Sequence, residues 1–158
     1  MPVEIERKFL VTNGTWRDAM SRSRRMCQGY LGGVDGKASV RVRLDGIEAR
    51  LNIKAAVVGT TRAEYDYPMP TADAEEILRT LCVGRVDKTR HIVEHQGHTW
   101  EIDEFEGDNA GLIVAEIELE DAAQRFVRPV WLGEEVTDQH RYYNHALALQ
   151  PYRCWTPS

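Results

Sequence analysis

Charge recurs at every second residue in stretch after stretch of this chain. A β-strand sends successive side chains to opposite faces, so this period gives each segment one charged face and one apolar face. In Val3–Val11, Glu4, Glu6 and Lys8 share a face while Ile5, Phe9 and Val11 take the other, with Arg7 the exception. Ala38–Leu44 sets Arg41 and Arg43 against Val40, Val42 and Leu44. The returning segment Ile47–Ala55 sets Arg50, Asn52 and Lys54 against Leu51 and Ile53. Further on, Arg62, Glu64 and Asp66 oppose Ala63, Tyr65 and Tyr67, and Glu116, Glu118 and Glu120 oppose Ala115, Ile117 and Leu119. A slip of one residue would invert any of these strands, so the pattern specifies register strongly.

The connections are short. Asp45-Gly46 is a two-residue hairpin signal, Gly59 marks a turn, and Gln96-Gly97 joins Arg85–His95 to His98–Gly107. Short connections favour antiparallel pairing. Met26–Gly33 reads as a short second strand ended by glycines and Asp35-Gly36. Before it, the polar, Arg-rich stretch Thr12–Arg25 reads as a short helix or loop capped near Thr15, with Trp16 and Met20 four apart. Thr71 can cap a helix with Asp73 and Glu75 in its first turn, an apolar stripe of Ile77, Leu78, Leu81 and Cys82, and Gly84 as its stop. A brief helical stretch at Asp121–Phe126, a break at Pro129 and a terminal helix around His140–Leu149 complete the reading.

About eight strands whose apolar faces can be covered by three helical segments leave the charged faces to converge on something wet. An open sheet with one solvated face would alternate too, but here strand after strand offers acid or base rather than random polar residues. The expectation is an α+β fold: a closed eight-stranded antiparallel β-barrel, or tunnel, with a charged interior and helices packed outside. Lys8, Arg41, Arg43, Lys54, Lys88 and Arg90 would form a basic lining, and Glu4, Glu6, Glu64, Asp66, Asp103, Glu116 and Glu118 an acidic one. Desolvation tends to cancel the gain from burying ion pairs, so pairs alone explain this poorly. A ligand of both signs explains it better: a polyphosphate held by Lys and Arg, with divalent cations held by carboxylates.

Composition narrows the setting. At 158 residues the chain reads as a single domain, 1–158, large enough for a real core. A net charge of -5 argues against a general nucleic-acid coat. No apolar run approaches the roughly 20 residues of a membrane span, and the N-terminus carries charge where a signal peptide needs an apolar region. Cys27, Cys82 and Cys154 are odd in number and scattered, so no disulfide framework is expected. The reading is cytoplasmic, with a small-molecule partner and neither membrane nor nucleic acid.

The opening EIERK resembles the E-x-E-x-K signature of the CYTH superfamily, the triphosphate tunnel metalloenzymes. The likeness continues in order through VRVR, NIK, RAEYDY, DKTR, EIDEF and AEIE to the C-terminal GEEVTDQHRYYNHALA, which is similar to that of small single-domain bacterial members. The resemblance implies an eight-stranded tunnel that binds triphosphate with Mg²⁺ or Mn²⁺. It implies metal ligands at Glu4, Glu6, Glu116 and Glu118, and a phosphate-binding set of Lys8, Arg41, Arg43, Lys54, Lys88 and Arg90. Asp103 with Glu64 resembles the carboxylates near a second metal that positions the attacking water, so Asp103, Glu64 and Glu118 are the catalytic candidates. Asp66 is shorter than the Glu often found there.

Phosphoryl transfer needs charge neutralised on phosphate oxygens and a nucleophile held in line, which cations and metals supply by position. The expected activity is inorganic triphosphatase, cleaving tripolyphosphate to pyrophosphate and phosphate. The alternatives are adenylate cyclase or thiamine triphosphatase of the same family, or a polyphosphate-binding module without turnover. Carboxylates on three separate strands favour catalysis, because binding alone needs mainly the basic set. Two other motifs are set aside. His91, His95 and His98 do not share a face suited to zinc, and GGVDGKAS lacks the spacing and the Ser/Thr of a P-loop.

Overall fold

The chain is described by a computed structural model covering residues 3–32 and 36–155. It consists of β1 (Val3–Val11), β2 (Met20–Leu31), β3 (Ala38–Asp45), β4 (Glu48–Ala55), β5 (Thr61–Met69), α1 (Thr71–Thr80), β6 (Gly84–His95), β7 (His98–Phe105), β8 (Ile113–Glu118), β9 (Leu132–Glu135) and α2 (Asn144–Leu149), with short 3₁₀ turns between. The strand order is β5-β4-β3-β2-β6-β7-β8-β1-β9, and β5 also pairs with β1. That last pairing, Val3↔Ala63 through Ile5↔Thr61, closes β1–β8 into an antiparallel barrel. β5 begins at Thr61, so its partnership with β1 ends there. Farther along β1, Phe9 and Val11 pair with β9 instead.

Two apolar cores lie outside the barrel wall, and a third, formed with the C-terminal segment, closes one end of its interior. Phe9, Trp100, Ile102, Ala115 and Ile117 on β1, β7 and β8 pack under Trp16, Trp131 and Leu132. Val86, Phe105 and Val114 pack under Val136, Tyr142 and Leu147 from the C-terminal segment. Val42 and Ala49 pack under α1 through Ala74, with Ile77 and Leu78 against the same cluster. Along β1, β3, β4, β7 and β8 the apolar parity is buried outward at mid-barrel, and the charged parity is left to the interior.

Several local expectations change. β2 begins at Met20, not Met26, because Met20–Tyr30 pairs along β6 while only Met26–Leu31 pairs with β3. Pairing to β6 overrides the weak strand propensity of the Arg/Ser run, whose side chains stay exposed. Only Thr15–Ala19 is helical, as a 3₁₀ turn that delivers Trp16 to the core. The stretch Asp121–Phe126 is not helical. The Asp121 carboxylate accepts the Ala123 N–H, and the Phe126 ring is drawn edge-on to Phe9 and Trp100. Pro70, not Thr71, stands at the N-cap of α1, and the Thr71 hydroxyl donates instead to the Ile47 carbonyl. Leu81 turns out to solvent at 59% exposure, beyond the helix. The terminal helix is shorter than expected, a 3₁₀ turn His140–Tyr142 followed by α2. β9 is a strand the alternation did not indicate. The turn expected at Asp35 lies outside the described residues.

Candidate active site

The barrel encloses a cavity of about 550 Å³ to which all eight strands of the ring contribute. Alternation puts Glu4, Glu6 and Lys8 of β1 on its wall, with Arg41 and Arg43 of β3, Lys54 of β4 and Glu64 of β5. Lys88 and Arg90 of β6 and Glu116 and Glu118 of β8 complete the expected set. Asp103 is the exception. Its carboxylate points into the barrel but is fully buried against Lys88 and Arg90 and does not line the cavity. Asp66 reaches the cavity rim, where it is ion-paired with Arg50 at 2.8 Å.

The two signs do not form separate walls. Lys8 Nζ lies 3.1 Å from Glu116, and Lys54 Nζ lies 2.9 Å from Glu4 and 3.4 Å from Glu64. Inside the barrel, Asp103 receives Lys88 Nζ at 2.7 Å and the Arg90 guanidinium through two nitrogens at 2.7 and 2.9 Å. Arg90 also donates to Glu101 at 2.9 Å. Interleaving follows from cross-strand register: Lys8 faces Glu116, Lys54 faces Glu64 and Arg90 faces Asp103 in neighbouring strands. Burial pushes the Asp103 and Glu116 carboxyls up, but the surrounding cations outweigh it and both stay below the usual carboxylate range. Burial lowers Lys88 to about 7, against the pull of Asp103.

Arg41 and Arg43 differ from the rest. Among the described residues neither makes an ion pair; Arg43 Nε donates to the neutral Gln28 side chain at 3.2 Å, and Arg41 Nε is buried without a partner. Burial, with Arg41 and Arg90 alongside, disfavours the charged form of Arg43. Two adjacent guanidiniums lacking a carboxylate are an anion site.

The opposite need appears at Glu118. It sits directly across from Glu6 in the β1–β8 ladder. Burial and then Glu4, Glu101, Glu6 and Glu64 raise its pKa. Burial and Glu116 likewise raise Glu6, against Lys54 and Lys8. Crowded carboxylate oxygens of this kind fit a hard divalent cation, which would relieve the repulsion. Among the described residues no three of them already converge as ligands, since Glu4 and Glu6 are turned toward Lys54 and Arg62. The donor chemistry therefore fits a metal, and binding it requires those side chains to turn.

Some lining residues escaped the sequence reading. Glu101 stands two residues before Asp103, on the same face of β7, and that parity was its signal. Arg62, which shares the parity of Glu64 but stood outside the expected lining, lines the cavity and pairs with Glu6 at 3.2 Å, whereas Arg50 does not line it and pairs with Asp66. Tyr143, Asn144 and His145 from the start of α2 also line the cavity, and Asn144 accepts a hydrogen bond from Lys88 at 2.9 Å. His91 lies elsewhere: its ring nitrogens face Ser23 and Glu104.

A model of the CYTH domain matches residues 2–148. An inorganic triphosphatase of Acetivibrio thermocellus is 41% identical over 154 residues, 97% of each chain. One from Nitrosomonas europaea is 38% identical, covering 92% of this chain and 97% of its own. The crystal structure of an inorganic triphosphatase superposes with a TM-score of 0.66 at 34% identity, covering 100% of this chain and 99% of that one.

Proposed function

This chain belongs to the CYTH domain family, and on that footing we propose that it is an inorganic triphosphatase, hydrolysing tripolyphosphate to pyrophosphate and phosphate. The observation that carries the reading is Arg41 and Arg43, buried beside the cavity and without a counter-ion, facing a lining that also crowds unpaired acid at Glu118. An anion alone would answer the first need, and a cation alone the second. A metal–triphosphate complex answers both.

Arg41, Arg43 and Lys54, with Lys8, Lys88 and Arg90, bind the phosphate oxygens and take up charge as the P–O bond breaks. Glu4, Glu6, Glu116 and Glu118 would hold Mg²⁺ or Mn²⁺, which when bound neutralises phosphate charge and makes water a better nucleophile. Glu118, raised above the ordinary carboxylate range, is suited to accept a proton from the attacking water, with Glu64 on the same cavity wall two strands away, beyond β1. We assign Asp103 a different part from water positioning: it holds Lys88 and Arg90 aimed at the cavity. Among the described residues no helix is long and apolar enough to cross a membrane, and Cys27, Cys82 and Cys154 are free, in keeping with a cytoplasmic setting.

A substrate panel tests this. Tripolyphosphate, ATP and thiamine triphosphate are each given with Mg²⁺ or Mn²⁺, and phosphate, pyrophosphate and cyclic AMP are resolved. Metal-dependent release of one phosphate and one pyrophosphate from tripolyphosphate, faster than from the other two, is expected. Cyclic AMP from ATP, or tripolyphosphate bound without cleavage, would overturn the reading.

A further inference from the structure

Tyr143 is buried where three parts of the chain meet, and its ring and hydroxyl have different neighbours. Lys8 Nζ and the Arg62 guanidinium carbon each lie 4.9 Å from the ring centroid. These are two cavity cations from strands that adjoin at the barrel seam, and they repel one another. An aromatic face attracts cations, so one ring steadies both without adding a carboxylate that would compete with substrate for them. The hydroxyl donates to the Thr137 carbonyl at 2.6 Å and accepts the Gly59 N–H at 3.0 Å. Thr137 in turn accepts the backbone N–H of Lys8 at 3.0 Å, and the neighbouring Thr60 carbonyl accepts the Glu6 N–H at 3.1 Å.

The loop that Tyr143 grips is part of the site. Residues 56–60 connect β4 to β5, and Val57 and Val58 line the cavity while remaining 52% and 48% exposed. They form an apolar lip over a charged interior. Gly59 takes a φ of +135°, so the loop bends at the residue whose N–H is held. Without the hydroxyl, that N–H and the Thr137 carbonyl would both need new partners.

We propose that Tyr143 is a positioning residue for the triphosphate site: its ring fixes Lys8 and Arg62 in their binding geometry, and its hydroxyl latches the β4–β5 loop that forms the lip. The substrate part of this rests on the triphosphatase reading, while the latch does not. The two roles separate in two variants, Tyr143→Phe and Tyr143→Leu. Tyr143→Phe keeps the ring and loses the latch. Amide exchange at 56–60 is expected to quicken by roughly tenfold or more, with KM for tripolyphosphate raised only about two- to threefold. Tyr143→Leu loses both, and KM should rise a further tenfold or so, with kcat falling less.

Equal KM values in the two variants would overturn the role of the ring, and unchanged exchange at 56–60 in Tyr143→Phe would overturn the latch. If Tyr143→Leu does not fold, the ring is tested by NMR of the wild type and of Tyr143→Phe. Upfield ring-current shifts of the Lys8 ε-methylene and Arg62 δ-methylene protons are expected in both, and random-coil positions would overturn the assignment. Failure of the triphosphatase reading would show as absent turnover in the wild type, with the exchange and NMR results unaffected.

Discussion

At the scale of single residues, the interior is governed by which charges are already answered. Among the described residues Glu118 is not, and Glu6, paired with Arg62 alone, is answered only in part. Both hold their protons above the ordinary carboxylate range, so their contribution to stability is present below the unfolded value of about 4.3 and is lost as pH rises through the folded values. Metal-free Glu118→Gln should therefore melt above the wild type at about pH 8, by some 1–3 °C, a gap that closes near pH 4. Saturating Mg²⁺ should close it at high pH as well, and a gap independent of both pH and metal would exclude the repulsion. Glu6→Gln keeps the shape but weakens a hard-cation site, and kcat should fall about 100-fold or more. Near wild-type turnover at low metal would remove Glu6 from the ligand set. Asp103 is answered twice over, by Lys88 and by Arg90. Breaking a buried pair from one side leaves an uncompensated charge, so Asp103→Asn should cost about 3–5 kcal/mol in denaturant unfolding. Full stability with only kcat lost would return Asp103 to the water-positioning role that the family resemblance suggests.

At the scale of elements, two close approaches couple the helices to the site. A Cβ on Gly84 would stand 2.6 Å from the Ala148 carbonyl oxygen, which is backbone and cannot rotate away. One on Gly29 would meet Cys82 Sγ at 2.4 Å and Leu78 Cδ2 at 2.8 Å, which are side-chain atoms. Gly84→Ala should therefore cost more than Gly29→Ala, about 1–3 kcal/mol. It should also raise KM, because pushing α2 away moves Asn144 off Lys88; equal effects of the two substitutions would contradict this coupling. The strands that carry the site were legible because their two faces differ in charge, a signal that local composition cannot imitate. The N-terminal half of β2 was not legible, since its Arg/Ser run is exposed and is held only by pairing with β6. β9 was not either: its four residues are specified by the free edge of β1, not by their own pattern. Arg62 and Glu101 had the right parity but no mark separating them from surface charge. Tyr143 lies outside the strands, and nothing in its local sequence shows that a ring there meets Lys8.

At the scale of the molecule, the barrel inverts the usual arrangement at its middle, with two apolar cores outside the wall, charges within, and a third apolar core closing one end. Such an interior is stable only because most of its charges are paired across neighbouring strands, and the unpaired remainder marks what the protein binds. The central claim is that basic side chains from several strands converge on one triphosphate-sized cavity. Thermal unfolding tests it most directly, with tripolyphosphate, pyrophosphate or phosphate present at equal concentration and metal withheld to prevent turnover. A ligand confined to the folded state contributes about 2.7 kcal/mol at 100 times its Kd, a melting shift of roughly 5–10 °C for a chain of this size. The account predicts a shift of that order for tripolyphosphate, a smaller one for pyrophosphate and little for phosphate, with Arg41→Ala combined with Arg43→Ala removing most of the first while the unliganded protein stays folded. Equal shifts for all three anions, or a tripolyphosphate shift undiminished in the double variant, would mean scattered surface sites and would contradict the convergent cavity.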